Sequence, residues 1–143
     1  MELAHTALSA RERTVAEMRA YLERKRVEPE DIDQAIAELE AAELLDDARY
    51  AQRYAEDKRS IERWGCERIE RDLLRRGIAQ EHVEAAVSVH GPTDELAAAL
   101  DLLTERRISP PRDDRERDRA WRMLVRKGYG PDLAYEAVRA HGG

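Results

Sequence analysis

An all-α fold of three tandem three-helix repeats, packed side by side, is what this sequence predicts, on two observations. The first is a segment written three times at a constant interval of 51 residues: 18–39, 69–90 and 120–141 align without a gap. Leu22, Leu73 and Leu124 coincide, as do Arg24, Arg75 and Arg126, and Ala35, Ala86 and Ala137. A fixed period of this length marks a supersecondary module that needs its neighbours to bury its apolar face. The second is composition: 39% of residues are charged, 5% are aromatic and Phe is absent. That suits a helical protein with a thin core better than a sandwich or an α/β fold.

The first repeat is assigned to residues 1–45. Only about residues 2–8 are available for its leading helix. Thr14 with Glu17 three residues on forms a capping box, and the helix it opens runs to about residue 25 with Val15, Met18 and Leu22 as its seam. Pro29 suits the first position of the next helix, where Ile32, Ile36 and Leu39 face inward. In the second repeat, 46–91, Asp46 or Asp47 caps a helix carrying Tyr50, Tyr54 and Ile61. Trp64-Gly65 breaks it, a helix follows over about 67–76, and Gly77 supplies the positive φ that ends it. The last helix of this repeat covers about 80–89, and Gly91-Pro92 closes the unit. In the third repeat, 92–143, Thr93 or Asp94 caps a helix through Leu96, Leu100 and Leu103. Ser109-Pro110-Pro111 interrupts it, Asp113 or Asp114 caps a helix to Lys127, Gly128 ends that helix, and Pro131 opens the last one.

No catalytic constellation stands out. There is no glycine-rich phosphate loop, no metal-ligand spacing and no nucleophile elbow, so neither an enzyme, a metal nor a cofactor is expected. His90 and His141 are equivalent positions at helix C-termini, where a donor suits exposed carbonyls. The single Cys66 lies on the seam with Ile69 and Leu73 and reads as a small core residue, although Arg63 and the helix N-terminus are placed to lower its pKa. One cysteine, no apolar run that crosses a bilayer and no signal-like N-terminus point to a cytoplasmic protein with no membrane contact.

Charge is unevenly spread. The net charge is −6, residues 1–45 hold 6 bases against 11 acids, 49–76 hold 9 against 6, and 106–127 hold 9 against 4. Arg68, Arg71 and Arg75, spaced i, i+3 and i+7, form one stripe opposite Ile69 and Leu73. Arg119, Arg122 and Arg126 repeat it in the third unit, whereas the first has Glu17, Ala20 and Arg24 there. Lys58, Arg59, Arg63, Arg76, Arg106, Arg107, Arg112 and Lys127 extend the same character. One reading is a solvated face stitched by pairs such as Arg68–Asp72 and Glu67–Arg71; the other is a contact surface kept in two repeats and erased in one. Trp64, in the basic loop Arg63-Trp64-Gly65, is either a stacking or anchoring side chain or a core residue. Tyr50, Tyr54, Trp121 and Tyr135 read as core.

Residues Leu44-Leu45-Asp46-Asp47-Ala48-Arg49-Tyr50-Ala51 resemble the Leu-(Leu)-Asp-Asp-x-Arg/Lys-aromatic-Ala signature of the RecX family of bacterial regulatory proteins. Arg76-Gly77-Ile78, Thr14-Val15-Ala16-Glu17-Met18 and Lys127-Gly128-Tyr129 continue that resemblance over nearly the whole chain. It implies an elongated, curved body that lodges in the groove of the filament formed by RecA recombinase on single-stranded DNA. It further implies inhibition of the filament's ATPase, strand-exchange and coprotease activities, and so a role in recombination, DNA repair and the SOS response, with no enzymatic activity of its own. The chain is expected to act as a monomer with weak direct DNA binding. Lys58, Arg59, Arg63, Trp64, Arg68, Arg71, Arg75, Arg76, Arg106, Arg107, Arg119, Arg122, Arg126 and Lys127 are the candidates for the contact surface. The alternative is a stand-alone helical DNA-binding module. Arg26 stands where the family's first turn commonly has Gly, which predicts a longer or less sharply ended turn.

Overall fold

The computed structural model describes residues 1–142, and among these every regular element is a helix. The first repeat holds α1 (Glu2–Ala10), α2 (Val15–Arg24) and α3 (Pro29–Ala41). The second holds α4 (Asp47–Ser60), α5 (Cys66–Arg75) and α6 (Gln80–Val87), and the third holds α7 (Pro92–Glu105), α8 (Asp114–Lys127) and α9 (Pro131–His141). Two compact units emerge, and the middle repeat is divided between them. The first unit is Met1–Tyr54 with Asp72–Ala86, and the second is Ala55–Arg71 with Val87–Gly143.

Helix starts follow the capping chemistry. The hydroxyl of Thr14 accepts from the Glu17 amide at 3.0 Å while the Glu17 carboxylate accepts from the Thr14 amide at 3.0 Å, the reciprocal box anticipated from sequence. Of the two aspartates before α4, Asp46 is the cap, accepting from the Arg49 amide at 3.0 Å. Asp47 instead accepts from the Val15 amide at 2.9 Å, tying α4 to the start of α2. Burial raises the Asp47 pKa despite that bond. Asp113 caps α8 through the Glu116 amide at 2.8 Å. At α7 neither Thr93 nor Asp94 is the cap. Gly91 takes that place and Pro92 is the first helical residue, since a proline with no N–H to satisfy fits N1.

The turn after the middle helix of each repeat is the same structure three times. Residues 26, 77 and 128 all have positive φ, at 62°, 86° and 104°. The amides of Val27, Ile78 and Tyr129 reach back to the carbonyls of Leu22, Leu73 and Leu124 at 3.1, 3.3 and 3.1 Å. This is the six-to-one closure of a Schellman turn. Arg26 therefore does not lengthen the first turn, contrary to the expectation from sequence; it takes the left-handed conformation itself.

In the first unit the core joins Ala4, Ala7, Met18, Leu22, Ile32, Ala35, Ile36, Leu39 and Leu45, with Val15, Tyr21 and Val27 packed on its edge. In the second it joins Ala99, Leu102, Leu103, Ala120, Leu124, Tyr129, Ala134, Ala137 and Val138. Each buried Leu or Ile contributes about 1.5–3 kcal/mol, and with few aromatics the cores rest on these residues. Tyr135, expected in the core, is 60% exposed, and Ile61, expected on the helix with Tyr50 and Tyr54, falls just past the end of α4 and is 73% exposed. Ile61 lies beyond the last helical turn, where no apolar seam continues.

Candidate functional site

The second unit brings the loops of two repeats into contact at paired glycines. The Gly65 amide donates to the Lys127 carbonyl at 2.8 Å, and the Glu67 amide donates to the Gly128 carbonyl at 3.0 Å. A Cβ on Gly65 would stand 2.5 Å from the Gly128 carbonyl, so only glycine allows this approach. Tyr129 anchors the crossing from inside, its hydroxyl donating to the Arg63 carbonyl at 3.1 Å. Burial pushes that hydroxyl's pKa up to about 12.

The crossing gathers basic side chains. The Arg68 guanidinium lies 3.9 Å from the centre of the Trp64 ring and the Lys58 ammonium 4.8 Å from it. Both are cation–π contacts, so Trp64 organises positive charge. Arg68 also donates to the Arg126 carbonyl at 3.3 Å. The Lys127 ammonium donates to the Glu62 carbonyl at 3.0 Å. Its pKa is lowered by burial first, then by the positive charges of Arg106 and Arg68. Lys58, Trp64, Arg68, Arg106 and Lys127 thus form one cluster in which like charges press on each other.

Other candidates are committed to internal partners. Arg59 pairs with Glu95 at 2.7 Å, with only 13% and 9% of the two side chains exposed. The same carboxylate accepts from the Cys66 amide at 2.7 Å and from its thiol at 3.1 Å. Burial pushes the Cys66 thiol up to about 11 and Glu95 adds to the rise, so the lowering by Arg63 that the sequence suggested does not occur. Arg63 instead holds Glu105 through two nitrogens.

In the first unit, Arg76 donates to Asp72 at 3.1 Å and to the Tyr50 hydroxyl at 3.0 Å, pairs with Glu17 at 3.4 Å, and lies over the Tyr54 ring at 4.9 Å. Its carbonyl accepts from the Thr14 hydroxyl at 3.1 Å. Asp72 is buried and also bonds Tyr54 and Arg75. Sequence spacing suggested a surface pair between Arg68 and Asp72; Asp72 is instead the centre of an internal network, a role that no spacing rule reveals.

The remaining arginines are open to solvent. Arg71, Arg75, Arg106, Arg107, Arg119, Arg122 and Arg126 are all exposed. Among them Arg122 pairs with Asp118 at 2.8 Å. Arg112 is tied to Glu116 at 2.9 Å. Arg115, which the sequence reading passed over, is exposed and stands four residues before Arg119 on the same side of α8. The i+4 spacing was the signal available for it. Of the equivalent histidines, His141 meets the Ile108 carbonyl at 2.5 Å, and His90 lies 3.6 Å from Asp94. Among the described residues no group of three His, Cys, Asp or Glu is placed to hold a metal ion, and no helix is long and apolar enough to cross a membrane.

Comparison with known proteins gives this surface its setting. The family model for the first three-helix domain of RecX matches residues 1–39, and that for the second three-helix domain of RecX matches residues 46–87. Regulatory protein RecX of Deinococcus radiodurans is 33% identical over 136 residues, covering 95% of this chain and 65% of that protein. Regulatory protein RecX of Leptothrix cholodnii is 32% identical over 132 residues, covering 92% of this chain and 82% of its own length. The crystal structure of RecX from Lactobacillus salivarius superposes with a TM-score of 0.84 at 21% identity, over 96% of this chain and 90% of that one, which is a likeness of fold. With two consecutive domain matches and relatives that align over most of both lengths, the chain belongs to the RecX family of regulatory proteins.

Proposed function

We propose that this protein is a negative regulator that binds the RecA filament on single-stranded DNA and restrains its ATPase, strand exchange and coprotease activity. The observation that supports this reading is the cluster around Trp64. Arg106 and Arg68 lie near Lys127, whose pKa is lowered by burial first and then by these two positive charges. A cluster of cations that repel each other gains free energy when an anion, carboxylate or phosphate, settles among them. The exposed Arg71, Arg119 and Arg126 supply further contacts, each weak, so that affinity comes from several engaged together. With a net charge of −6 the chain is poorly suited to coat naked DNA by counterion release alone. That favours filament binding over a stand-alone DNA-binding module.

Fluorescence titrations of bare single-stranded DNA, duplex DNA and assembled RecA filament at two salt concentrations test the reading. Tight binding to filament and weak binding to bare DNA are expected. Equally tight, steeply salt-dependent binding to DNA without RecA would transfer the function to the DNA-binding alternative.

A further inference from the structure

A second surface on the same unit has chemistry of its own. Beside α8 runs an open groove of about 680 Å³, with Arg112, Glu116, Arg119 and Arg126 on its walls and Ile108, Ala120 and Met123 on its floor. Arg119 and Arg126 are exposed and have no ion-pair partner among the described residues. Two unpaired arginines seven residues apart over an apolar floor, the third wall arginine being held by Glu116, suit an occupant that is anionic and also offers methyl groups for burial.

Helix α3 of this chain has that chemistry. Residues 28–43 hold seven carboxylates and no lysine or arginine. Its inner face, Ile32, Ala35, Ile36 and Leu39, is buried, while Asp33, Ala37 and Glu40 are exposed together along one edge. Asp33 and Glu40 are seven residues apart, as are Arg119 and Arg126, and seven residues of helix rise about 10.5 Å. Aligned in parallel, Asp33 meets Arg119, Ala37 meets Met123 and Glu40 meets Arg126, so a small residue faces a long one between two opposite-charge pairs. Asp33 now pairs with Arg19 at 2.8 Å, an exposed pair of little worth that is readily exchanged.

We propose that α3 of one copy docks in the α8 groove of a second copy. The two surfaces differ, so the contact is head-to-tail and each pair leaves one free helix and one free groove for a further copy. With few charge pairs per link, association is weak and fades with salt. This departs from the monomer expected from sequence. It needs no filament, so it stands or falls separately from the RecA reading.

Sedimentation velocity of the full chain over a concentration series, at low and high ionic strength, decides it. The wild type is expected to associate with concentration at low ionic strength and to dissociate at high. Asp33→Lys with Glu40→Lys, and separately Arg119→Glu with Arg126→Glu, should each weaken association by about tenfold or more. An equimolar mixture of the two variants should regain it, because every mixed contact again opposes unlike charges. A wild type that stays monomeric at both ionic strengths overturns the proposal, even if the groove then captures an acidic peptide. So does a mixture that stays dissociated while both variants keep wild-type helicity by circular dichroism.

Discussion

At the scale of single residues, Arg26 shows how much one position can be asked to do. It holds the left-handed turn that Gly77 and Gly128 hold in the other repeats. An L-residue there costs about 1–2 kcal/mol, and glycine would give back about 0.5–1 kcal/mol in chain entropy. Arg26→Gly is therefore expected to raise the unfolding free energy by about 0.5–1 kcal/mol in urea titrations; a loss would mean that the Arg26 side chain makes a stabilising contact. The repeat alignment made the glycine turns legible at 77 and 128. It did not reveal that arginine would adopt the same geometry, because that depends on the Val27 amide closing onto the Leu22 carbonyl. Burial separates arginines that look alike in sequence. Arg76→Ala leaves Asp72 with Arg75 and Tyr54 but removes the link from Asp72 to Glu17 and Tyr50. It is expected to cost about 1–2 kcal/mol given the partial exposure of Arg76, whereas Arg71→Ala should stay within about 0.5 kcal/mol. Cys66, pushed up to about 11 from a usual 9.0, stays protonated in the folded chain while the unfolded thiol ionises. Its share of stability is present below pH 9 and is lost as pH rises through about 11. Alkylation at pH 8 should be much slower in the native than in the denatured protein; equal rates would contradict the buried Glu95 contact.

Helices and turns were the most readable level, and their joints the least. Thr14, Pro29, Asp113, Pro131 and the paired glycines announce their roles locally, since a cap or a positive φ is a property of a few neighbouring residues. The crossing of Gly65 with Gly128 joins loops far apart in sequence, and nothing near either glycine signals the other. Gly65→Ala should cost about 1–3 kcal/mol through forced separation of the two loops, measured by chemical denaturation, and a neutral effect would show that the crossing is loose. The Arg59–Glu95 pair is another such joint. Glu95→Ala leaves a guanidinium buried without its partner and the Cys66 amide uncapped, and a loss of about 3 kcal/mol is expected. The division of the middle repeat between two units also matters for truncation. Removing residues 92–143 takes away α7, α8 and α9, which hold the second core, and leaves Ala55–Arg71 without its unit. Point changes are therefore the cleaner probe of contact surfaces.

For the whole molecule, the uneven charge seen in sequence has become a sorted set of surfaces. The first repeat is acidic and the helix α3 concentrates its carboxylates. The basic positions of repeats two and three divide into internal braces (Arg59, Arg76), a surface pair (Arg63 with Glu105), a cation cluster around Trp64, and an exposed row on α8. Sequence periodicity could select arginines as a class but could not distinguish a brace from a contact, since Arg59 and Arg68 differ only in what packs beside them. Under the proposed function, the Trp64 cluster is the surface that meets the RecA filament. The most direct measurement is inhibition of RecA's DNA-dependent ATPase by the wild type and by a variant carrying Arg68→Glu, Arg71→Glu and Arg106→Glu, with helicity checked in parallel. Reversing two charges of the cluster and Arg71 on the same stripe of α5 is expected to weaken inhibition by roughly 100-fold or more while leaving the fold intact. Undiminished inhibition by a fully helical variant would contradict the account and return these arginines to the solvated face.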